Sequence, residues 1–346
     1  MKRYHVFALN FMLVGVLAAL LACAQRFLDG YSIQILNLVA INILLALSLN
    51  LIYGFTGMFS LGHAGFMAIG AYVCAILILS PDQKAMLFLL EPAYPWIESA
   101  HAPFVVAVFA GGLAAAAMAA VVGFPLLRLG DDYLGIATLG FAEIVRVVAN
   151  NVPRITNGAL GFKGIPAYAN LWWNYGWCLL ALVLIVRILR SNTGRCFKAI
   201  RDDEVAARAM GVNVFRLKLL SFSLGAFFAG VGGGLLASLL TTIDPKMFLF
   251  VLTFNVLMIV VMGGLGSVTG SVIAGAAVTI ILEWLRFVED PITLGSVTLP
   301  GIPGMRMVVF SLLLIAVILF RREGLMGTRE ISWEGIAAWL RQRRKA

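Results

Sequence analysis

The chain has 346 residues, of which 61% are hydrophobic and 12% are charged. A soluble domain carries about 25% charged residues, so this balance excludes an ordinary soluble protein and indicates a polytopic membrane protein. The net charge of +9 is therefore interpreted first as membrane topology, and no nucleic-acid partner is expected. The four cysteines form no CxxC pair and are interpreted as buried free thiols rather than metal ligands or disulfides. No metal and no cofactor is expected.

Ten apolar segments are long enough, or nearly so, to cross a bilayer, which takes about 20 residues. The predicted fold is therefore all-α, with about ten transmembrane helices. The first segment superficially resembles a lipoprotein signal ending at Cys23, but it is long enough to be a span. The segments lie at about 6–27, 32–53, 61–80, 104–127, 133–150, 171–189, 219–240, 248–263, 270–288 and 305–320. A tight glycine-rich turn, 263–270, separates the eighth from the ninth.

The distribution of lysine and arginine orients these spans. With a cytoplasmic N-terminus, 18 of the 26 basic residues lie on the cytoplasmic side and five outside, which the positive-inside rule favours. Both termini are then cytoplasmic. Residues 1–327 are interpreted as a transmembrane domain with a cytoplasmic loop at 190–218. Residues 328–346 are interpreted as a basic amphipathic tail that lies on membrane lipid, with partner binding as the alternative.

The loop at 190–218 contains a short capped helix. Asp202 can serve as its N-cap, with Asp203 and Glu204 in the first turn, where carboxylates stabilise the positive helix end. Gly211 fits the position after the helix, where a left-handed residue ends it. An ordinary charged loop is the alternative interpretation, although plain connections are rarely this long.

This helix resembles the EAA loop of ABC-importer permeases, which inserts into a cleft on the ATPase subunit. In that family Glu-Ala-Ala is followed after three residues by Gly, and Ala206, Ala207 and Gly211 stand in that register. Val205 stands where the family has Glu, Glu204 lies one residue early, and the trailing Ile-x-Leu-Pro is absent. The resemblance implies that residues 1–327 form a permease domain and that the loop at 190–218 is its coupling loop. The implied ATPase-coupling residues are Asp203, Glu204, Ala206, Ala207 and Gly211.

Four further stretches extend the resemblance, over about residues 31–327, to the LivM-type permeases of branched-chain amino-acid importers. They are SLGHAGF at 60–66, DYLGIATLGF at 132–141, GGLGS at 263–267 and REGL at 322–325. The resemblance implies a bacterial inner-membrane permease for leucine, isoleucine or valine, with urea, short amides or other amino acids as the alternative. It also implies two ATPase subunits, a second homologous permease and a substrate-binding protein on the outer side.

The sequence contains no motif that would supply the energy for transport. It contains no GxxxxGK[ST], no HExxH and no clustered carboxylates, so a non-catalytic subunit is expected and an enzyme is disfavoured. A secondary transporter is a weaker alternative, because coupling to ions or protons would need more buried acids than Glu143.

Polar residues in the spans are candidates for a translocation path, because each is expensive in lipid. His63 stands without a second histidine, cysteine or carboxylate, so a structural hydrogen bond is favoured over a ligand or proton role. Glu143 and Arg146 are three residues apart on one helix and can pair, either as structural glue or along the path. The path candidates are Ser60, His63, Asn50, Glu143 and Arg146. Whether 54–63 and 133–150 form full or broken helices stays open.

Overall fold

The computed structural model describes residues 3–88, 91–129, 131–289, 292–294, 297–299, 304–321, 324–327 and 330. Each of the ten apolar segments holds a helix, and short helices lie between them. The helices are α1 (Arg3–Phe27), α2 (Gly30–Asn50), α3 (His63–Ile78), α4 (Pro81–Leu87), α5 (Pro95–Ser99), α6 (Phe104–Leu126), α7 (Asp131–Asn151), α8 (Pro153–Thr156), α9 (Leu171–Arg190), α10 (Asn192–Asp202), α11 (Glu204–Ala209), α12 (Val214–Leu240), α13 (Phe250–Gly263), α14 (Val268–Trp284) and α15 (Met305–Phe320).

Several of these helices can cross a bilayer by length and composition. Five do so outright within the described residues, and the α3–α4 pair, bent by 118°, makes a sixth if it is one broken span. The five are Gly30–Phe55, Phe104–Leu126, Tyr133–Asn151, Leu171–Arg190 and Val214–Leu240. Helices α13 and α14 are apolar but shorter. The all-α polytopic fold is therefore confirmed, while the number of ten spans and the side of each terminus stay predictions.

Helix α12 lies at the centre of the bundle and packs against α6, α3 and α2. Glycines make this contact possible. A Cβ atom at Gly70 would lie 2.1 Å from the Gly230 carbonyl oxygen, and one at Gly233 would lie 2.0 Å from the Met67 carbonyl oxygen. The α3 and α12 backbones therefore touch directly, as small residues permit in membrane helices. This packing buries most of the second half of α2, from Val39 to Asn50.

The structure shows that 133–150 is a full helix and that the helix breaks within 54–63. Helix α7 runs unbroken through 131–151, whereas α2 passes into a π-helical turn at Leu51–Phe55 and residues 57–62 are not helical. The π-helical turn is anchored by hydroxyls, because the Leu51 carbonyl oxygen accepts hydrogen bonds from Thr56 and Ser221 at 3.0 and 3.1 Å. Such hydroxyls satisfy backbone groups that an irregular turn leaves open inside a membrane protein.

The described residues also form two small antiparallel sheets. Strand β1 (Phe162–Lys163) pairs with β2 (Thr242–Ile243), so that Phe162 lies opposite Ile243. Strand β3 (Ile292–Leu294) pairs with β4 (Val297–Leu299), so that Ile292 lies opposite Leu299. The first pair joins the irregular connection before α9 to the C-terminal end of α12. The predicted amphipathic tail lies outside the described residues, apart from Glu330.

Candidate functional site

The coupling loop folds as two consecutive helices, α10 and α11. Asp203 is the N-cap of α11: its backbone is extended and its carboxylate accepts a hydrogen bond of 2.9 Å from the Ala206 N–H. The expectation that Asp202 is the cap is wrong by one residue, because α10 continues through Asp202 and Asp203 is the residue whose backbone leaves the helical region. Gly211 follows α11 with a φ of +83°, the left-handed ending that the sequence predicted.

Glu204 points back towards the bundle. Its carboxylate accepts hydrogen bonds from Arg208 at 2.7 Å and from Lys218 of α12 at 2.5 Å. Lys218 is buried, so this ion pair is shielded from water on one side. Glu204 therefore fixes α11 against the start of α12, with both carboxylate oxygens engaged within the chain.

Helix α11 has one buried and one exposed side. Ala207 packs against Ile200 and Val214, whereas Val205 is 78% exposed and Met210 is 84% exposed. The two predicted alanines therefore separate, because Ala206 is exposed and Ala207 is buried. The exposed residues Val205, Ala206, Ala209 and Met210, here called the α11 face, are apolar within a strongly basic loop. Exposed apolar patches of this kind mark sites of protein contact.

Helix α10 touches the break in α2. Arg201 donates a hydrogen bond of 3.2 Å to the Gly54 carbonyl oxygen of the π-helical turn. The Lys198 ammonium lies 6.0 Å from the centre of the Phe55 ring. A Cβ at Gly266 would lie 2.8 Å from the Arg201 guanidinium, so Arg201 also contacts the turn between α13 and α14. No sequence signal singled out Arg201 among the basic residues of the coupling loop.

Residues 263–270, here called the inner turn, form a tight reversal between α13 and α14. Cβ atoms at Gly263 and Gly270 would lie within 2.5 Å of each other's backbone, so neither position has room for a side chain. Residues 324–327 and Glu330 also bind this turn. The Leu325 N–H donates to the Met262 carbonyl oxygen at 2.8 Å, and Glu330 accepts from the Val268 N–H at 2.6 Å.

Asn50 joins α2 to the inner turn. Its amide nitrogen donates to the Ser267 carbonyl oxygen at 2.9 Å and to the Ser271 hydroxyl at 2.7 Å, and its oxygen accepts from the Gly266 N–H at 3.0 Å. The side chain is fully buried. Asn50 from α2, Arg201 from α10, and residues 324–327 with Glu330 thus hold the inner turn from three separate parts of the chain.

Two of the other path candidates are also enclosed. His63 is 1% exposed and its Nε2 lies 2.9 Å from the Ser48 hydroxyl, which joins α3 to α2. Ser60 is buried, and its hydroxyl accepts a long hydrogen bond of 3.4 Å from the Gly62 N–H. These contacts close the non-helical segment between α2 and α3 against its neighbours.

The last two path candidates lie on the surface of α7. Arg146 and Glu143 form an ion pair of 2.7 Å, and their side chains are 28% and 39% exposed. No hydrogen bond among the described residues links this pair to Asn50, Ser60 or His63. The structure therefore separates the five candidates into a buried group, Asn50, Ser60 and His63, and a partly exposed pair on α7, Glu143 and Arg146.

The apolar helices, together with the exposed and polar coupling loop, define an all-α polytopic membrane protein. The sequence matches, over residues 31–318, the family described as branched-chain amino acid transport system / permease component. The chain belongs to this family, and with its several apolar helices it is a multi-pass protein of the inner membrane. No solved structure matches it.

Its curated relatives are permeases. The chain is 34% identical over 289 residues to the high-affinity branched-chain amino acid transport system permease protein LivM of Escherichia coli K12, covering 74% of this chain and 64% of LivM. It is 26% identical over 257 residues to LivH of the same strain, covering 67% and 77%. It is 31% identical over 215 residues to the L-arabinose transport system permease protein AraH, covering 58% and 61%. The chain thus spans about two thirds of the length of LivM.

Proposed function

We propose that the chain is the non-catalytic transmembrane subunit of an ATP-binding-cassette importer for branched-chain amino acids. Family membership and the similarity to LivM support leucine, isoleucine or valine as the cargo. The similarity to AraH shows that related sequences serve another solute, so urea, short amides or other amino acids remain the alternative cargo. ATP hydrolysis belongs to two partner ATPase subunits.

The contact between the coupling loop and the inner turn carries this proposal. An ATPase subunit docks on the α11 face, where small and apolar side chains are exposed. Its movement displaces α11 and α10 together, because Ala207 and Ile200 pack in one small cluster. Arg201 then transmits the displacement to Gly54 and the inner turn. ATP shifts the permease between states only by as much as the ATPase binds the two states differently.

The outer surface of α7 supports a second permease as partner. The Arg146 and Glu143 side chains are 28% and 39% exposed on a helix that is apolar enough to cross the membrane. Charged groups facing lipid are costly, so such groups usually face a protein partner or a water-filled path. We therefore place the second permease, a homologue comparable to LivH, against this face, with the translocation path between the two permeases. A substrate-binding protein delivers solute from outside, and lipid covers the remaining apolar surface.

A charge placed on the α11 face tests the proposed docking. The importer is reconstituted in proteoliposomes with its ATPases, second permease and binding protein, and ATP-dependent leucine uptake is measured. Val205→Asp and Met210→Asp should each lower uptake about tenfold or more, the effect of desolvating an unpaired charge at an interface. The matched control is Ala199→Asp, which adds the same charge to an exposed position of α10 outside the α11 face. Equal uptake by all three variants would contradict the docking site.

A further inference from the structure

A cavity outside the coupling loop and the inner turn has the size and the lining of a binding site. This cavity of about 340 Å³ lies between α2, α12, α13, α14 and α15, with Met67 of α3 at its floor. Its volume lies within the range of small-molecule sites, about 300–1,000 Å³. Its walls are aliphatic, methionine and phenylalanine side chains, interrupted by Asn42 and Asn255. We call it the outer cavity.

The two carboxamides in the outer cavity are incompletely bonded. Asn42 donates to the Thr279 hydroxyl at 2.8 Å, and its carbonyl oxygen accepts no hydrogen bond from the described residues. Asn255 forms no hydrogen bond at all within the described part of the chain. Both side chains are only partly buried, so a solute that enters the cavity can reach them, and an unpaired polar group in apolar surroundings favours a ligand that bonds it. A ligand with both donors and acceptors would satisfy these amides.

The outer cavity is closed at its inner end. Leu45 and Met67 form its floor and are almost fully buried. One turn further inward, the Ser48–His63 hydrogen bond joins α2 to α3. At the other end the lining residues Leu240, Met247 and Leu252 are partly exposed and belong to the connection between α12 and α13. The charge distribution predicts that this connection lies on the outer side of the membrane, where a binding protein would release its solute.

We propose that the outer cavity binds an aliphatic amino acid during import, with the aliphatic side chain against its apolar walls. Asn42 and Asn255 bond the ammonium or carboxylate group of the amino acid. This inference rests on the proposed function and deepens it, because it assigns part of the solute selectivity to this chain. A polyol would leave its hydroxyl groups unpaired against the apolar walls, which disfavours sugars.

The first test changes the cavity and measures uptake in the reconstituted importer. Asn255→Leu should raise the KM for leucine about tenfold, the effect of losing one well-placed hydrogen-bonding group. Leu252→Phe narrows the partly exposed end and should lower leucine uptake more than alanine uptake. Val251→Phe is the matched control, because Val251 is the neighbouring residue of α13, is 55% exposed and does not line the cavity. Both cavity variants behaving like Val251→Phe would overturn the proposal.

The second test detects occupancy without transport. The complete importer is illuminated with a diazirine analogue of leucine, and the labelled peptides are identified by mass spectrometry. Labelling of α2 and α13 beside Asn42 and Asn255, displaced by excess leucine, is the expected result. Labelling there by a diazirine phospholipid that leucine does not displace would overturn the proposal in favour of a lipid site. If the importer carries no leucine but the cavity is labelled competitively, the proposed function fails and the cavity site stands.

Discussion

Asn50 and Asn255 are both asparagines in apolar helices, yet they differ in their hydrogen bonds and in their burial. Asn50 makes three hydrogen bonds at the inner turn and is fully buried, whereas Asn255 makes none with the described residues and lines an open cavity. The inner region is closely packed through glycine–glycine contacts, and the outer region contains unfilled volume. A closely packed region transmits displacement, and an unfilled region accommodates a ligand. The two regions are therefore suited to coupling and to solute binding respectively.

The largest effect is expected from filling the inner turn. Gly270→Val would place a branched side chain 2.2 Å from the Gly263 carbonyl oxygen, and we expect a loss of about 3 kcal/mol or more in the free energy of unfolding. Thermal unfolding of the purified protein in detergent measures this loss. The control is Gly140→Val, because a Cβ at Gly140 meets no atom within 4 Å. Equal midpoints for the two variants would show that the inner turn is not tightly packed.

The two asparagines should respond differently to the same substitution. Asn50→Leu leaves the Gly266 N–H without its acceptor and removes the donor to the Ser271 hydroxyl, which still bonds the Ser267 carbonyl oxygen. An unsatisfied buried group costs about 1–3 kcal/mol. Asn255→Leu removes no hydrogen bond within the described residues, so its unfolding midpoint should remain close to that of the unmodified protein. Differential scanning fluorimetry of both variants compares them directly. Similar destabilisation by the two substitutions would remove the distinction between the regions.

Loss of the Arg201 contact should reduce coupling more than stability. Arg201→Met removes the hydrogen bond to the Gly54 carbonyl oxygen, and we expect about tenfold less leucine uptake per ATP hydrolysed, because a single link of this kind contributes about 1–2 kcal/mol. The stoichiometry of uptake to phosphate release measures the effect. Arg195→Met, at an exposed position of the same helix, is the control. An unchanged stoichiometry in Arg201→Met would mean that displacement travels by another contact.

The smallest effect is expected at the end of α11. Gly211 has a φ of +83° and open space around its Cα, so Gly211→Val strains the backbone by about 1–2 kcal/mol without a steric clash. We expect weaker coupling of ATP hydrolysis to uptake with normal membrane insertion. Gly211→Asn should retain more activity, because asparagine tolerates the left-handed conformation. Normal coupled uptake by Gly211→Val would count against the docking role of α11.

Local features of the fold could be predicted from the sequence. Hydropathy located every long helix of the bundle, because each apolar run must bury its own backbone hydrogen bonds in a helix. The left-handed ending at Gly211 was also predicted, since it depends on one residue type. The cap was misplaced at Asp202, because two adjacent aspartates satisfy the same rule and only the end of α10 decides between them.

Features that depend on helix packing could not be predicted. Arg201 meets Gly54 across 147 residues of sequence, and no local pattern marks that contact. Asn255 lies within an apolar run, and no sequence pattern marks it as a binding residue. Its role depends on the cavity that five helices form around it. The exposed placement of the Glu143–Arg146 pair likewise depends on which side of α7 the rest of the bundle leaves uncovered.

The central claim is that solute crosses this permease only when partner ATPases drive it through the coupling loop. The most direct test is leucine uptake into proteoliposomes that contain the chain with its second permease and binding protein, with and without the ATPase subunits and ATP. The account predicts uptake against a gradient only when both ATPases and ATP are present. Leucine accumulation without them would contradict the account and identify a secondary transporter.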